Sequence, residues 1–95
     1  MWFVYLLLCD QKTFYIGITK DIRKRLLFHQ EKKSFFTKKF SNFKLVHCER
    51  YESKTEAVRR EKQIKKWSRV KKQMLMEGKL GINICTGFAE DLLGG

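Results

Sequence analysis

The stretch from Trp2 to Cys9 constrains the fold of this chain most, because it is apolar or aromatic throughout. A short run of this kind, without helical periodicity, is typical of a strand that is covered on both faces. It is well below the about 20 residues of a membrane-spanning helix, and no basic segment precedes it as in an export signal. We therefore predict that it forms the central strand of a sheet and that the chain has no membrane segment.

A second β-prone run, Phe14 to Thr19, follows a polar turn and predicts a hairpin with the first strand. If the turn is centred on Gln11, Tyr5 lies opposite Gly17, and Tyr15 lies on the same face as Tyr5. A shift of the pairing by one residue would separate the two tyrosines. A glycine inside a strand marks a bulge or a close approach of backbone or ligand, which we expect at Gly17.

Residues 20–33 have the spacing of a helix. Ile22 and Leu26 fall on one face, and Arg25 and His29 adjoin that face one turn apart. We therefore expect the side chains of Arg25 and His29 to point the same way.

The rest of the chain predicts a loop, a strand and two helices. Residues 34–42 are basic and contain phenylalanine without a clear period, which predicts a mobile loop, whereas residues 43–51 alternate as a third strand does. A Ser-Lys-Thr-Glu capping box opens the helix predicted over residues 53–67, and Ser68 is placed to cap another helix that ends at Gly78. The elements predict an α+β fold, with a three-stranded antiparallel sheet flanked by helices.

These elements form one predicted domain over residues 1–79. Residues 80–95 are a C-terminal extension that is rich in glycine and then acidic at Glu90 and Asp91, unlike the preceding chain. We expect this extension to be flexible or packed on the same domain.

Composition indicates a partner and a compartment. The chain has 21 Lys and Arg residues against 10 Asp and Glu residues, which gives a formal net charge of +11. This charge favours nucleic acid as the partner, and a basic protein without such a partner is the alternative. Cys9, Cys48 and Cys85 show no spacing of a disulfide framework or a zinc site, so we expect them to pack as small hydrophobic residues in a reducing cytoplasm.

Glu61 is an acid in a strongly basic helix. In helical spacing it shares a stripe with Ala57 and Ile64, where an apolar residue would be expected. A carboxylate turned toward the protein must be neutralised, paired or bound to a metal, since an unpaired buried charge is very costly. A structural ion pair with Lys65 or Arg25 is the alternative to a metal.

The chain contains side chains that phosphodiester cleavage uses, namely a carboxylate, an arginine, a histidine and paired tyrosines. A carboxylate can bind a hard divalent cation, arginine stabilises charge on the phosphorus centre, and a phenol or an imidazole can move a proton. The residues alone indicate this chemistry only in general terms.

Four motifs in order closely resemble the GIY-YIG nuclease superfamily, in particular its small stand-alone bacterial members. They are Phe3-Val4-Tyr5, Tyr15-Ile16-Gly17, residues 21–29 and residues 56–67, and the resemblance covers roughly residues 1–77. It implies a GIY-YIG endonuclease-like fold and a metal-dependent endonuclease that hydrolyses DNA. Selectivity for DNA structure and a link to DNA repair or processing are further expectations from the resemblance. In the first motif, Phe3-Val4-Tyr5, only Tyr5 matches the Gly-Ile-Tyr triplet of the family name.

Carried over by position, the resemblance assigns catalytic roles to five residues, which are Tyr5, Tyr15, Arg25, His29 and Glu61. It implies that Glu61 holds Mg²⁺ or Mn²⁺, that Arg25 steadies the scissile phosphate and that a tyrosine, in our interpretation Tyr15, activates water. Because tyrosine has a reference pKa of about 10, Lys20, Arg25 or the metal would have to favour its phenolate. Asn83 is a looser match to an asparagine that some members place near the site.

Six basic residues are candidates for contacts with nucleic acid, namely Lys20, Arg23, Lys38, Lys39, Arg59 and Lys65. The phenylalanines at residues 35–40 could stack on exposed bases or be tucked under their loop. The expected partner is DNA, with RNA as an open alternative, a protein partner could supply targeting, and the chain is expected to be a monomer or a weak dimer.

Each assignment has a simpler alternative. Tyr5 and Tyr15 could be core aromatics, Arg25 a solvated cation and His29 a surface residue near a helix C-terminus. His47, which alternates with apolar positions, is interpreted as a packing residue. For the whole chain, the alternatives are a nucleic-acid-binding module of the same fold with little or no turnover and a basic structural protein.

Overall fold

The computed structural model of the protein describes residues 1–32 and 37–85, with Thr37 described in its backbone only. The elements are β1 (Trp2–Cys9), β2 (Thr13–Thr19), α1 (Ile22–Gln30), a 3₁₀ turn (Thr37–Lys39), β3 (Phe43–Tyr51), α2 (Lys54–Lys65) and α3 (Arg69–Met76). Residues 34–36 of the predicted loop and residues 86–95 of the extension lie outside the described residues. Within the described chain, none of the helices has the length and apolar character needed to cross a membrane.

The three strands form one antiparallel sheet in the order β2-β1-β3. This confirms the α+β fold with Trp2–Cys9 as the central strand. The pairing of β1 with β3 is interrupted by an irregularity between Leu6 and Leu7, where β3 has an additional residue.

The hairpin has the predicted register, with Tyr5 opposite Gly17 and Leu7 opposite Tyr15. The close approach expected at Gly17 is made by the phenol ring of Tyr5. A Cβ atom added at residue 17 would lie 2.5 Å from Tyr5 Oη and 2.7 Å from Tyr5 Cζ. Glycine is required here for space, because the ring of Tyr5 lies across the backbone of β2.

The two faces of the sheet carry different cores. One face packs Val4 and Leu6 against α2 and α3, through buried residues that include Ala57, Ile64 and Leu75. The other face buries Tyr5, Leu7 and Cys9 with residues of α1 and β3 that include Ile22, Leu45 and Cys48. The alternation along β1 therefore separates Tyr5 from the neighbouring Val4 and Leu6 and directs it toward α1.

Helix starts follow the predicted caps. Ser53 Oγ accepts a hydrogen bond from the backbone N–H of Glu56 at 3.2 Å, and Ser68 caps α3 in the same way. Helix α1 begins at Ile22 rather than at residue 20, because Asp21 is its N-cap and accepts a bond from the N–H of Lys24 at 3.1 Å. Three capped helices thus flank the sheet.

Glu49 of β3 is fully buried and is the centre of a polar network. Its carboxylate accepts hydrogen bonds from His47 Nε2 and Tyr51 Oη, each at 2.8 Å. Arg60 of α2 donates to both carboxylate oxygens, from Nε at 2.8 Å and from Nη2 at 3.0 Å. Burial alone would raise the pKa of Glu49, but the bonds from His47, Arg60 and Tyr51 outweigh it and lower that pKa to about 2.

The residues that follow α3 complete this network. Arg60 Nη2 donates to the carbonyl oxygen of Leu80 at 3.0 Å, and the N–H of Ile82 donates to Glu49 at 3.2 Å. Residues 80–82 therefore add one acceptor for Arg60 and one donor for Glu49 to the bonds that these two residues already make.

The three cysteines are free thiols, and Cys9 and Cys48 are buried. Cys85 lies beside Cys48 with 2.8 Å between their Sγ atoms, and its N–H donates to the carbonyl oxygen of Cys48 at 2.9 Å. The chain at Ile84 therefore extends the edge of β3 by a short antiparallel bridge.

The Glu49 network predicts a dependence of stability on pH. In the folded protein the pKa of Glu49 is about 2, below its ordinary value of 4.5. The stability that the ionised carboxylate contributes to the fold is therefore fully present above about pH 5 and is lost as pH falls toward 2. We expect the free energy of unfolding of wild type to exceed that of Glu49→Gln by about 3 kcal/mol at pH 7, with the difference shrinking below pH 5. Urea unfolding at pH 7, 5, 4 and 3 measures it, and a difference independent of pH would contradict the prediction.

The contact at Gly17 predicts a coupling with Tyr5. Gly17→Ala should lower the free energy of unfolding by about 1–3 kcal/mol, because the new methyl group overlaps the phenol ring. In a Tyr5→Leu background the same change should cost much less, which a double-mutant cycle measured by urea unfolding would show. Additive effects of the two substitutions would mean that the ring is not what excludes a side chain at residue 17.

Candidate active site

Tyr5 and His29 form a buried hydrogen-bonded pair on the α1 face of the sheet. Each side chain is 1% exposed, and Tyr5 Oη lies 3.0 Å from His29 Nε2. Tyr5 comes from the middle of the central strand, and His29 comes from the last turn of α1. The two residues thus fasten α1 to the sheet through a polar contact.

Tyr15 packs against both members of this pair. Its ring centroid lies 6.1 Å from that of Tyr5 and 5.2 Å from that of His29, in tilted and edge-to-face geometry. The hairpin register supplies the first contact, because diagonal neighbours share a face. The structure therefore brings together the two tyrosines and the histidine that the motifs indicated.

Both members of the buried pair are held neutral. Burial, followed by the neighbouring Tyr15, raises the pKa of Tyr5 above its ordinary value, and the charge of Arg25 opposes this only in part. Burial and then Arg25 lower the pKa of His29 to about 4. At neutral pH the pair is therefore a hydrogen bond between an un-ionised phenol and a neutral imidazole, whose tautomer decides which of them donates.

Arg25 lies one helical turn before His29 on α1 and is partly exposed. Its guanidinium carbon is 5.3 Å from the centroid of the Phe28 ring. We call Tyr5, Tyr15 and His29 the tyrosine cluster. The charge of Arg25 acts on both Tyr5 and His29, which places the guanidinium beside this cluster. Arg25 and His29 thus point the same way, as the helical spacing predicts.

Glu61 of α2 lies at the margin of the buried stripe rather than within it. Its side chain is 17% exposed and makes a long contact of 3.7 Å with Lys65, which is 56% exposed. The charge of Glu61 makes a small contribution to raising the pKa of Tyr5, so the carboxylate lies within electrostatic reach of this phenol. The charged residue that enters the core between Ala57 and Ile64 is instead Arg60, which corrects the sequence interpretation.

A partly open carboxylate such as Glu61 fits a hard divalent cation. Mg²⁺ is commonly held by one or two carboxylates, with waters and substrate phosphate oxygens completing its shell. Over residues 1–32 and 37–85, no group of three or more His, Cys, Asp or Glu side chains forms a metal-binding cluster. The donor set fits a cation shared with a phosphate and does not fit an all-protein cage.

The basic candidates fall in different places. Lys20 is exposed beside the ring of Trp2, while Arg23 is on the exposed side of α1. Lys38 and Lys39 belong to the 3₁₀ turn, with Lys39 Nζ 5.5 Å from the ring centroid of Phe40. Arg59 lines a separate cleft with Tyr51 and Ile82, away from the tyrosine cluster.

Two other residues resemble site components but lie elsewhere. Asn83 lines a cleft with Arg50 and Glu56, on the outer side of β3, and its carbonyl oxygen accepts from the N–H of Arg50 at 2.8 Å. His47 is buried and bonds Glu49, in agreement with its interpretation as a packing residue.

The Glu49 network is the feature that the sequence analysis missed. Its local signal was present, since Glu49 and Tyr51 follow His47 at every second residue of a strand and Arg60 follows Ala57 by three residues on α2. A buried carboxylate and a buried guanidinium at those positions need each other as partners.

Comparison with known sequences shows the family to which the chain belongs. The chain matches the family described as the GIY-YIG catalytic domain over residues 1–74. It is 36% identical over 80 residues to a UPF0213 protein of Natronomonas pharaonis, across 83% of this chain and 94% of that protein. It is 43% identical over 77 residues to a UPF0213 protein of Syntrophus aciditrophicus, across 79% of this chain and 88% of that protein.

A solved structure agrees with the fold. The solution NMR structure of a UPF0213 protein from Bacillus halodurans matches with a TM-score of 0.54 and 36% sequence identity, covering 85% of this chain and 88% of that one. With this sheet, these motifs and these relatives, the chain belongs to the GIY-YIG family, whose domain is that of nucleases, and within it is similar to the small UPF0213 proteins.

Proposed function

We propose that this protein is a metal-dependent endonuclease that hydrolyses phosphodiester bonds of DNA. The observation that carries the proposal is the convergence at one place of two tyrosines, a neutral histidine and two opposite charges, those of Arg25 and Glu61, which both act on Tyr5. Family membership supports a nucleic acid substrate, and the net charge of +11 supports a polyanion.

Glu61 would hold the cation, Mg²⁺ or Mn²⁺, at the edge of the cluster. When bound, such an ion supplies Lewis-acid stabilisation of charge on the phosphoryl oxygens. The exposed fraction of Glu61 leaves room for a phosphate to reach the carboxylate from solvent. Lys65 contacts Glu61 only loosely, so little binding energy is lost when the carboxylate exchanges this lysine for a cation.

Arg25 is the residue proposed to stabilise the transition state. Its guanidinium is partly exposed, so it can reach a phosphate, and it is fixed by the helix that also carries His29. A preoriented cation at the point where negative charge develops lowers the barrier without reorganisation during the reaction.

Tyr15 is the proposed general base that activates water, and Tyr5 and His29 serve it as positioning residues. Tyr5 keeps its proton, because burial and then the neighbouring Tyr15 raise the pKa of its phenol. His29 is buried as well, so it is poorly placed to take a proton from water. Tyr15 is the more accessible of the two phenols and packs against both other rings.

The proposal also includes selectivity for DNA structure, a role in DNA repair or processing, and a cytoplasmic location. RNA is the alternative substrate, and the protein is proposed to act as a monomer or weak dimer, with a protein partner that could direct it to its target. The alternative function is a nucleic-acid-binding module of the same fold without useful turnover. Salt-dependent binding is common to both functions, so only cleavage separates them.

Glu61→Gln tests the metal role. We expect it to abolish Mg²⁺-dependent cleavage of plasmid, single-stranded and branched DNA while changing DNA affinity by only a few-fold, because an amide is a poor ligand for this cation. Gel-based cleavage and fluorescence anisotropy measure the two properties. Glu77→Gln, at an exposed glutamate beyond α3, is the matched control and should cleave normally. Equal cleavage by the Glu61 variant and wild type would reject the assignment.

Arg25→Ala tests transition-state stabilisation. We expect turnover to fall about 10²–10³-fold with an unchanged melting temperature, as for other removed electrostatic stabilisers, and Arg25→Lys to recover only part of it. Arg23→Ala on the exposed side of the same helix should weaken binding and reduce its salt dependence while leaving turnover at saturating DNA within a few-fold. Steady-state cleavage at several salt concentrations makes the comparison, and similar losses in turnover for both variants would contradict the role of Arg25.

A further inference from the structure

A groove runs from the start of β1 along α1, and we call it the Trp2 groove. Its volume is about 440 Å³, and its lining includes Trp2, Lys20, Lys24, Arg25 and Phe28. The lining thus combines two aromatic rings, Trp2 and Phe28, with three cationic side chains.

Two lysines lie over the Trp2 ring, of which Lys20 lines the groove and Lys54 does not. Lys20 Nζ, from the end of β2, is 5.2 Å from the ring centroid, and Lys54 Nζ, from the start of α2, is 5.3 Å from it. Within the described parts of the chain, neither lysine forms a salt bridge, and neither does Lys24. The carboxylate of Asp21 at the groove is engaged in capping α1. An aromatic face next to uncompensated lysines is the combination that binds bases and phosphates of single strands.

Arg25 joins this groove to the candidate active site. It lines the groove, and its charge acts on Tyr5 and His29 in the cluster. A DNA strand with its scissile phosphate at Arg25 therefore has a continuous path into the groove. A volume of about 440 Å³ lies within the range of pockets that hold one small ligand.

We propose that the Trp2 groove binds one unpaired nucleotide next to the scissile phosphate, with its base stacked on Trp2 and its phosphate bound by Lys20 and Lys54. This inference rests on the proposed nuclease function and specifies its substrate class as DNA with a single-stranded or frayed nucleotide at the cut. A base within a duplex has both faces covered by its neighbours and cannot stack on the indole. On binding, the base displaces an ammonium group from the ring, and that lysine meets the phosphate.

Tryptophan fluorescence tests the binding step without cleavage. The chain has two tryptophans, so Trp67→Phe leaves Trp2 as the only reporter and Trp2→Phe leaves Trp67. Phenylalanine keeps an aromatic ring over Arg60 at residue 67. Both proteins also carry Glu61→Gln and are titrated in EDTA with oligo(dT), a blunt-ended duplex and polyphosphate.

We expect oligo(dT) to quench Trp2 strongly and to leave Trp67 nearly unchanged, and the duplex and polyphosphate to quench Trp2 little. Equal quenching of both reporters, or of Trp2 by polyphosphate, would show that charge and not stacking is responsible and would overturn the proposal. Absence of quenching of Trp2 by oligo(dT) would overturn it as well.

Cleavage tests the consequence for substrate choice. With otherwise wild-type protein, Trp2→Ala should reduce the ratio of cleavage rates on a flapped duplex and a blunt duplex by about fivefold to a hundredfold, since stacking contributes that much per base. Trp2→Phe should keep most of this ratio, and Lys20→Ala with Lys54→Ala provides a test that leaves the ring intact. An unchanged ratio in Trp2→Ala overturns the proposed selectivity. If oligo(dT) quenches Trp2 but wild type cleaves no DNA, the proposed nucleotide site stands and the proposed nuclease function is rejected. If wild type cleaves DNA but oligo(dT) does not quench Trp2, the nuclease function stands and the nucleotide site is rejected.

Discussion

The pairing of Glu49 with Arg60 is the interaction on which the rest of this structure depends. A fully buried carboxylate cannot remain ionised without donors on every side, and here they come from β3, α2 and the chain that follows α3. The bidentate geometry of the guanidinium fixes both the distance and the rotation of α2 over the sheet. Because Arg60 must face inward, the next residue, Glu61, is directed to the margin where the tyrosine cluster lies.

The candidate site itself depends on a different constraint, the space above Gly17. Tyr5 lies flat across β2 only because residue 17 has no side chain, and this brings its hydroxyl to His29. The face of the sheet that carries the candidate site thus depends on steric fit and one neutral hydrogen bond, whereas the opposite face depends on a buried ion pair. The two halves are joined through the central strand, since Val4 and Tyr5 are neighbours that face opposite cores.

Local patterns were sufficient to predict much of this structure. The period of two residues and the turn at Gln11 gave the correct register of the hairpin, and serine caps gave the starts of α2 and α3. The interior position of Arg60 could not be predicted in the same way. On a helical wheel residues 60 and 61 both adjoin the stripe of Ala57 and Ile64, and the choice between them is made by Glu49, a partner on another element. Roles in catalysis stay predictions, because they depend on a bound phosphate and cation.

Residues 80–82 bond Arg60 and Glu49, so the hydrogen-bonded core extends beyond the domain that sequence similarity recognises. Similarity between sequences recognises a unit that ends at residue 74, but the hydrogen bonds of the core continue to residue 82 and the edge of β3 continues to Cys85. A chain cut after α3 would keep the four motifs and lose the carbonyl oxygen of Leu80 and the N–H of Ile82, which add hydrogen bonds to the Glu49–Arg60 pair. The unit that sequence similarity recognises is therefore smaller than the hydrogen-bonded unit of this structure.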